Sequence, residues 1–192
     1  MNTKIHFKKV LLIVLSLIVL VICVLALKFK VFYIGPSLYR LQNQYARQGR
    51  IDHNAPIQAH ETIVINASAS RVWQVLSDVQ NWPAWFPDVK SIHIGAAVGP
   101  GVTFTWENGG SKIKSMFVVV NPGKELSWTG TSFGAKAVDR YVLEVLEINR
   151  TRVYNEESMG GPLLTLFYNS KTLHADMKQF LLALKRTSEK IR

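Results

Sequence analysis

From Val10 to Leu27 the chain reads VLLIVLSLIVLVICVLAL, an uncharged run in which Ser16 is the only polar member. As a helix rising about 1.5 Å per residue it would be roughly 27 Å long, close to the hydrocarbon thickness of a bilayer. Lys4, Lys8 and Lys9 precede it, and Lys28 and Lys30 follow. A cleaved secretory signal is the competing reading, but the run is longer than a usual signal core, and the KFKVFY that follows offers no small-x-small cleavage pattern. Val21 and Ile22 precede Cys23, where a lipoprotein cysteine needs a small residue. We therefore read residues 1–30 as a single-pass anchor that spans the membrane through residues 10–27. The flanking charges are nearly balanced, and the orientation adopted puts the amino terminus inside and the folded part on the outer, periplasmic or extracellular side.

The formal net charge of +10 invites a nucleic-acid reading, but its distribution argues otherwise. Residues 1–50 hold eight of the 23 Lys and Arg and none of the 13 acidic residues, so the rest of the chain is close to neutral. Basic residues beside a span meet anionic headgroups. No nucleic-acid partner is expected. The single cysteine, Cys23, lies inside the apolar run and leaves no disulfide framework.

Residues 31–57 read as a linker. They contain Gly35-Pro36 and a short segment in which Leu38, Leu41 and Tyr45 line one side of a surface helix ending at Gly49. A folded domain is expected over residues 58–192. HETIVIN is β-rich, and a serine among Ser68-Ala69-Ser70 caps the helix that follows. Six strand-like segments succeed it, from VKSIHIG to TRVYNEESM, with turn-like separators such as GAAVGPG, NGGS, NPGK and NR. After Gly160-Gly161-Pro162 the period changes: Leu166, Leu173, Met177, Phe180, Leu184 and Ile191 form one face of a long helix, with Pro162 in its first turn. The order implies an α+β fold, a curved antiparallel sheet gripping a long C-terminal helix and preceded by one transmembrane helix.

Two features point to a site between sheet and helix. DVQNWPAWFPDV (78–89) concentrates Trp82, Trp85 and Phe86 around two prolines, Pro83 and Pro87, in a segment too broken for a long helix or a strand. Those rings either plug the end of the core or gate a ligand. On the strands, alternation pairs Phe104 with Trp106 and Leu126 with Trp128, puts Asp139 on the face of Tyr141 and Leu143, and puts Glu157 on that of Val153, Asn155 and Met159. Ordinary packing and ligand contact stay open for each aromatic.

The segments ETIVINASASRVWQVLSDVQNWPAWFPDV, ELSWTG, TRVYNEESMGGPL and LHADMKQFLLALKRTSEK resemble the START-like helix-grip superfamily, and within it the polyketide cyclase/dehydrase and lipid-transport branch. The resemblance spans residues 59–192 as many weak positions without one diagnostic motif. It implies that the WPAWF segment lies near the mouth of a cavity, where the short helices meet the sheet.

Nucleophilic catalysis finds no support in a chain without a G-x-S-x-G elbow whose one cysteine is in the apolar run. His6, His53, His60, His93 and His174 show no i, i+4 pair, so neither a metal nor any other cofactor is expected. Asp139 and Glu157 remain, as general acids or bases, as anchors for a ligand hydroxyl, or as ion-pair partners of Arg140 or Arg152. The reading is a membrane-tethered domain that binds a hydrophobic small molecule or lipid through Trp82, Trp85, Phe104, Trp106, Met116, Trp128, Asp139, Tyr141 and Glu157. The alternatives are a polyketide cyclase/dehydrase-like enzyme and a non-catalytic envelope interaction module, and the sequence names no protein partner.

Overall fold

A computed structural model describes residues 2–190. The apolar run lies in helix α1 (Asn2–Lys28). Within its Phe7–Lys28 part an 18-residue window has a mean hydropathy of 3.6, and none of that window is buried against the rest of the chain. Helices of this kind are membrane spans or signal sequences, because water alone does not tolerate such a surface.

Seven strands follow: β1 (Ile57–Ile65), β2 (Val89–Ile94), β3 (Thr103–Asn108), β4 (Ser111–Asn121), β5 (Glu125–Ser132), β6 (Ala135–Glu147) and β7 (Arg150–Gly160). They form one antiparallel sheet in the order β1-β7-β6-β5-β4-β3-β2. A register shift between Phe117 and Val119 in β4 adds to the bend that makes a concave face. Between β1 and β2 run α2 (Ala69–Ser77) and the single turn α3 (Trp82–Trp85). The Ser68 hydroxyl accepts from the Arg71 N–H and starts α2, which buries Val72, Val75 and Leu76. Pro83 sits in the first turn of α3, where its missing N–H costs nothing.

The long helix α4 (Ser170–Ser188) begins later than the sequence period suggests. Asn169 caps it by accepting from the Thr172 N–H, and Leu173, Met177, Phe180, Leu181 and Leu184 are buried against the sheet. Pro162 and Leu166 are not part of it. Gly161 lies so close to β6 that an added Cβ would stand 2.6 Å from the Ala135 Cα, and Leu163 has φ +63°, so the long helix does not begin there and Leu164–Leu166 form only a single 3-10 turn. Ile191, the last member of the predicted face, lies outside the described residues.

The concave face of the sheet is covered, and the convex face is covered in part. The concave face packs on α2, α3 and α4. On the convex face lies the stretch read from sequence as a linker. Leu41, Ala46 and Ile51 are buried there with Val118 and Val138, the Asp52 N–H donates to Ser158 Oγ at 3.0 Å, and the Tyr33 hydroxyl donates to Asp52 Oδ2 at 2.6 Å. Beside this strap Arg140 bridges Glu125 and Glu156, each at 2.8 Å.

Candidate functional site

The concave face divides into an aromatic half and a carboxyl half. Trp82 is the centre of the first. It is 0% exposed, and its indole N–H donates to the Leu76 carbonyl at 3.0 Å, so its polar atom is already used. Phe104, Trp106, Trp128 and Phe180 surround it with ring centroids 5.3–6.5 Å away, mostly edge to face. Trp85 and Phe86 flank Phe180 of α4 at 5.1 Å each, and the Trp106 N–H donates to Ser115 Oγ at 3.0 Å. The prolines break the chain so that three rings from one short segment reach α4 and the sheet together. Ring-to-ring contact fills this half of the groove.

The Trp128–Tyr141 stack, with centroids 5.3 Å apart and planes 18° from parallel, forms the boundary with the second half. Register places Asp139 of β6 opposite Glu157 of β7, and Glu157 opposite Ala59 of β1. Alternation then turns Asp139, Tyr141, Asn155 and Glu157 toward α4. Asn155 donates to Asp139 Oδ1 at 2.7 Å and also to the Arg140 carbonyl, while its own side-chain oxygen has no partner. Burial pushes the Asp139 carboxyl up to about 7, against the opposing hydrogen bonds from Asn155 and the Arg140 backbone. Glu157 is also raised well above the usual carboxylate range, first by burial and then by the charges of Asp139 and Asp176. Burial first, and then the charges of Asp139 and Glu157, raise the Tyr141 hydroxyl. Across the groove the Tyr168 hydroxyl donates to Asp176 of α4. No cation faces the Asp139–Glu157 pair among these contacts: Arg140, next in sequence, points through the sheet to the opposite face. Near neutral pH such a pair keeps a proton, and a protonated carboxyl donates a hydrogen bond as readily as an ionised one accepts.

Of the residues singled out from sequence, eight gather on the concave side: Trp82, Trp85, Phe104, Trp106, Trp128, Asp139, Tyr141 and Glu157. Met116 does not. It pairs with Thr129 on the convex face, where it packs with the strap and lies 3.9 Å from Gln42 Nε2. The inward position belongs to its neighbour Phe117, stacked on Phe104 at 4.5 Å, because side chains alternate and a methionine's chemistry says nothing of which face it takes. Sequence reasoning also passed over Asn155 as an anchor and Phe180 as the ring joining α3 to the sheet, although the period of each was visible. His174 hydrogen-bonds Glu61 of β1 at 3.0 Å, beside the site rather than in it. On the convex side the distal strands carry an open groove of about 640 Å³ whose lining includes His93, Glu107, Lys112 and Lys114. It has no buried polar group aimed into it.

A curved antiparallel sheet closed by a C-terminal helix, with a mixed polar and aromatic interior, defines a START-like helix-grip protein. The family "Polyketide cyclase / dehydrase and lipid transport" matches residues 56–189, and the chain belongs to it. Solved structures share the fold at low identity. A hypothetical protein of Helicobacter pylori superposes with a TM-score of 0.66 at 16% identity, over 72% of this chain and 91% of that one. A START superfamily protein of Mycobacterium smegmatis gives 0.59 at 15%, over 69% and 97%. The Zhui aromatase/cyclase of Streptomyces sp. R1128 gives 0.53 at 17%, over 68% and 90%. At these identities the likeness is one of fold. No curated protein matches the chain by sequence.

Proposed function

We propose that this protein is a membrane-tethered binding domain for a hydrophobic small molecule or lipid, held between the sheet and α4 at the carboxyl half of the groove. The observation that carries this reading is the inward group Asp139–Asn155–Glu157, in which Asp139 and Asn155 are buried and Glu157 is partly buried. A core built only for stability does not place two carboxyls and an orphaned amide oxygen together without a cation, because each unpaired polar group costs stability. A ligand hydroxyl or amine would satisfy the Asn155 oxygen and one carboxyl. The Trp128–Tyr141 stack would supply an apolar wall beside it. The packed rings around Trp82 serve in this reading as the closed end of the groove rather than as its ligand contacts. A domain tethered by α1 would meet its ligand where partitioning concentrates it.

The test is native mass spectrometry of the full chain released from nonionic detergent, with organic extraction and identification of what leaves it. One defined hydrophobic compound bound per chain, lost in Asp139→Ala and Glu157→Ala, is the expected result. Bare protein that stays bare after incubation with lipid and polyketide panels would overturn it and favour an interaction module.

A second reading has its own support in the Asp139 carboxyl at about 7, a value suited to general acid–base work on a polyketide-like substrate. On that reading Asp139→Asn abolishes turnover of the bound compound and leaves its binding largely intact.

A further inference from the structure

One end of the domain carries a rim of exposed apolar side chains. Phe133 is 91% exposed and Phe167 84%, and Phe32, Ile34, Leu163 and Leu166 are exposed beside them. Three segments meet there. The chain leaving α1 passes Val31, whose carbonyl accepts from the Leu163 N–H at 2.7 Å. The loop 161–168 crosses the β5–β6 turn, with Gly161 against Ala135 and the Gly134 carbonyl, and Tyr33 packs against Gly160. The rim is therefore anchored within a few residues of Lys28, where the apolar helix ends.

Backbone geometry at this end is unusual as well. Among the described residues, the non-glycine positions with positive φ are Lys30 (48°), Phe133 (46°) and Leu163 (63°), and all three lie here. Phe133 precedes Gly134 (φ +81°) in the β5–β6 hairpin, a turn that favours Asn or Asp at the first central position. A bulky aromatic held in left-handed conformation and pointed into water gains nothing for folding, and such strain collects where a surface has a task. The carboxyl half of the groove lies behind this rim: Leu164 and Tyr168 of the loop pack on Ile57, Ala59, Leu173 and Met177, next to Glu157.

We propose that Phe32, Ile34, Phe133, Leu163, Leu166 and Phe167 form a bilayer-docking rim that enters the interfacial layer of the membrane spanned by α1. Its occupant is lipid, because the rim continues directly from a helix whose only suitable surroundings are lipid. Docking turns the carboxyl end of the groove toward the bilayer, so that a hydrophobic ligand passes between the two without crossing water. The inference rests on reading α1 as a membrane span, and it extends the proposed binding function by naming the side from which ligand enters.

The test uses the full chain in vesicles of phosphatidylcholine and phosphatidylglycerol. Cysteines introduced as Phe133→Cys, Leu166→Cys, Phe167→Cys or Ile148→Cys in a Cys23→Ser background are labelled with a small fluorophore, and quenching is read with brominated acyl chains and with aqueous iodide. Ile148 is the control. It is 89% exposed and apolar, but lies beyond the other end of β6, which at roughly 3.3 Å per residue is about 40 Å away. Labels at 133, 166 and 167 are expected to be quenched by bromine and protected from iodide, and the label at 148 the reverse. A label on native Cys23 separates the premises. Bromine quenching at 23 but iodide quenching at 133 and 167 overturns the rim and leaves the span intact. Absence of bromine quenching at 23 overturns both. Protection of the rim labels from both quenchers means that a second copy or another protein covers this face, which also overturns the proposal. The binding reading stands or falls separately, on the mass-spectrometric result.

Discussion

Asp139→Asn should make the protein more stable, and by an amount that grows with pH. The Asp139 side chain is only 8% exposed, and its carboxyl is pushed up to about 7, chiefly because burial strips water from the charged form. In an unfolded chain an aspartate titrates near ~3.9. The folded protein thus holds this proton more tightly than the unfolded one, so the sign is opposite to that of a salt-bridged carboxylate. Stability is fully present below the unfolded value, declines as pH rises toward the folded value, and levels off above it. A difference of about three units at ~1.4 kcal/mol each sets an upper limit of ~4 kcal/mol. Glu157, raised for the same first reason, contributes with the same sign. Glu144 and Glu189 are lowered instead and titrate beneath this window. Asparagine at 139 keeps an oxygen to accept from Asn155 and never ionises. The assay is thermal unfolding of the full chain in nonionic detergent between about pH 5 and about pH 8.5, followed by tryptophan fluorescence. For a domain of this size each kcal/mol moves Tm by about 2–4 °C, so the variant should melt at most roughly 8–16 °C above wild type at the alkaline end and approach it at the acid end. A wild-type Tm that is flat or rising over this range, or a variant that follows wild type in parallel, would refute the argument that an unpaired buried carboxyl is being forced to ionise.

Two substitutions test the packing on either side of that site. Trp82→Ala removes the ring at the centre of the aromatic half and should cost about 3–5 kcal/mol by urea denaturation, far more than Trp85→Ala at its partly buried neighbour; equal costs would contradict the central place assigned to Trp82. Gly161→Ala puts a Cβ 2.6 Å from the Ala135 Cα and 3.0 Å from its nitrogen, where backbone cannot yield, and should cost on the order of 1–3 kcal/mol while Gly123→Ala, in open space but at φ +72°, shows only turn strain. Comparable Tm losses for the two glycine variants would mean that loop 161–168 is not seated on the β5–β6 turn.

Local signals carried the elements well. The apolar run, the hydroxyl cap before α2, the strand alternation and the turn glycines each act over a few residues, and each element formed where its signal lies. The start of α4 was less legible, because an apolar period continues through Leu166 although the contact of Gly161 with Ala135, distant in sequence, holds the chain in a loop with only a 3-10 turn before α4. The outer strap was illegible for a related reason. Nothing in LQNQYARQGRI announces that Leu41, Ala46 and Ile51 meet Val118 and Val138, since that contact depends on tertiary pairing alone.

The strap also explains why the site was only half visible. A sheet with one wet face alternates apolar and polar, and the apolar set marks the core. Here the strap also covers part of the convex face, and at one step of β6 the usual polarity is reversed: Val138 points outward beneath the strap, and Asp139 points inward toward α4. Arg140, the next outward residue, is held by Glu125 and Glu156, so it cannot turn to neutralise Asp139 without breaking both ion pairs. The fold thereby isolates an inward carboxyl from the nearest cation in its own strand. Met116 lies under the strap, whereas alternation had put Asp139 on the face of Tyr141 and Glu157 on that of Asn155, and the register joins those two faces, since period survives beneath the strap when polarity does not. An inward acid opposite a second acid contradicts what folding alone would select, and departures of that kind are where a binding or catalytic role is expected.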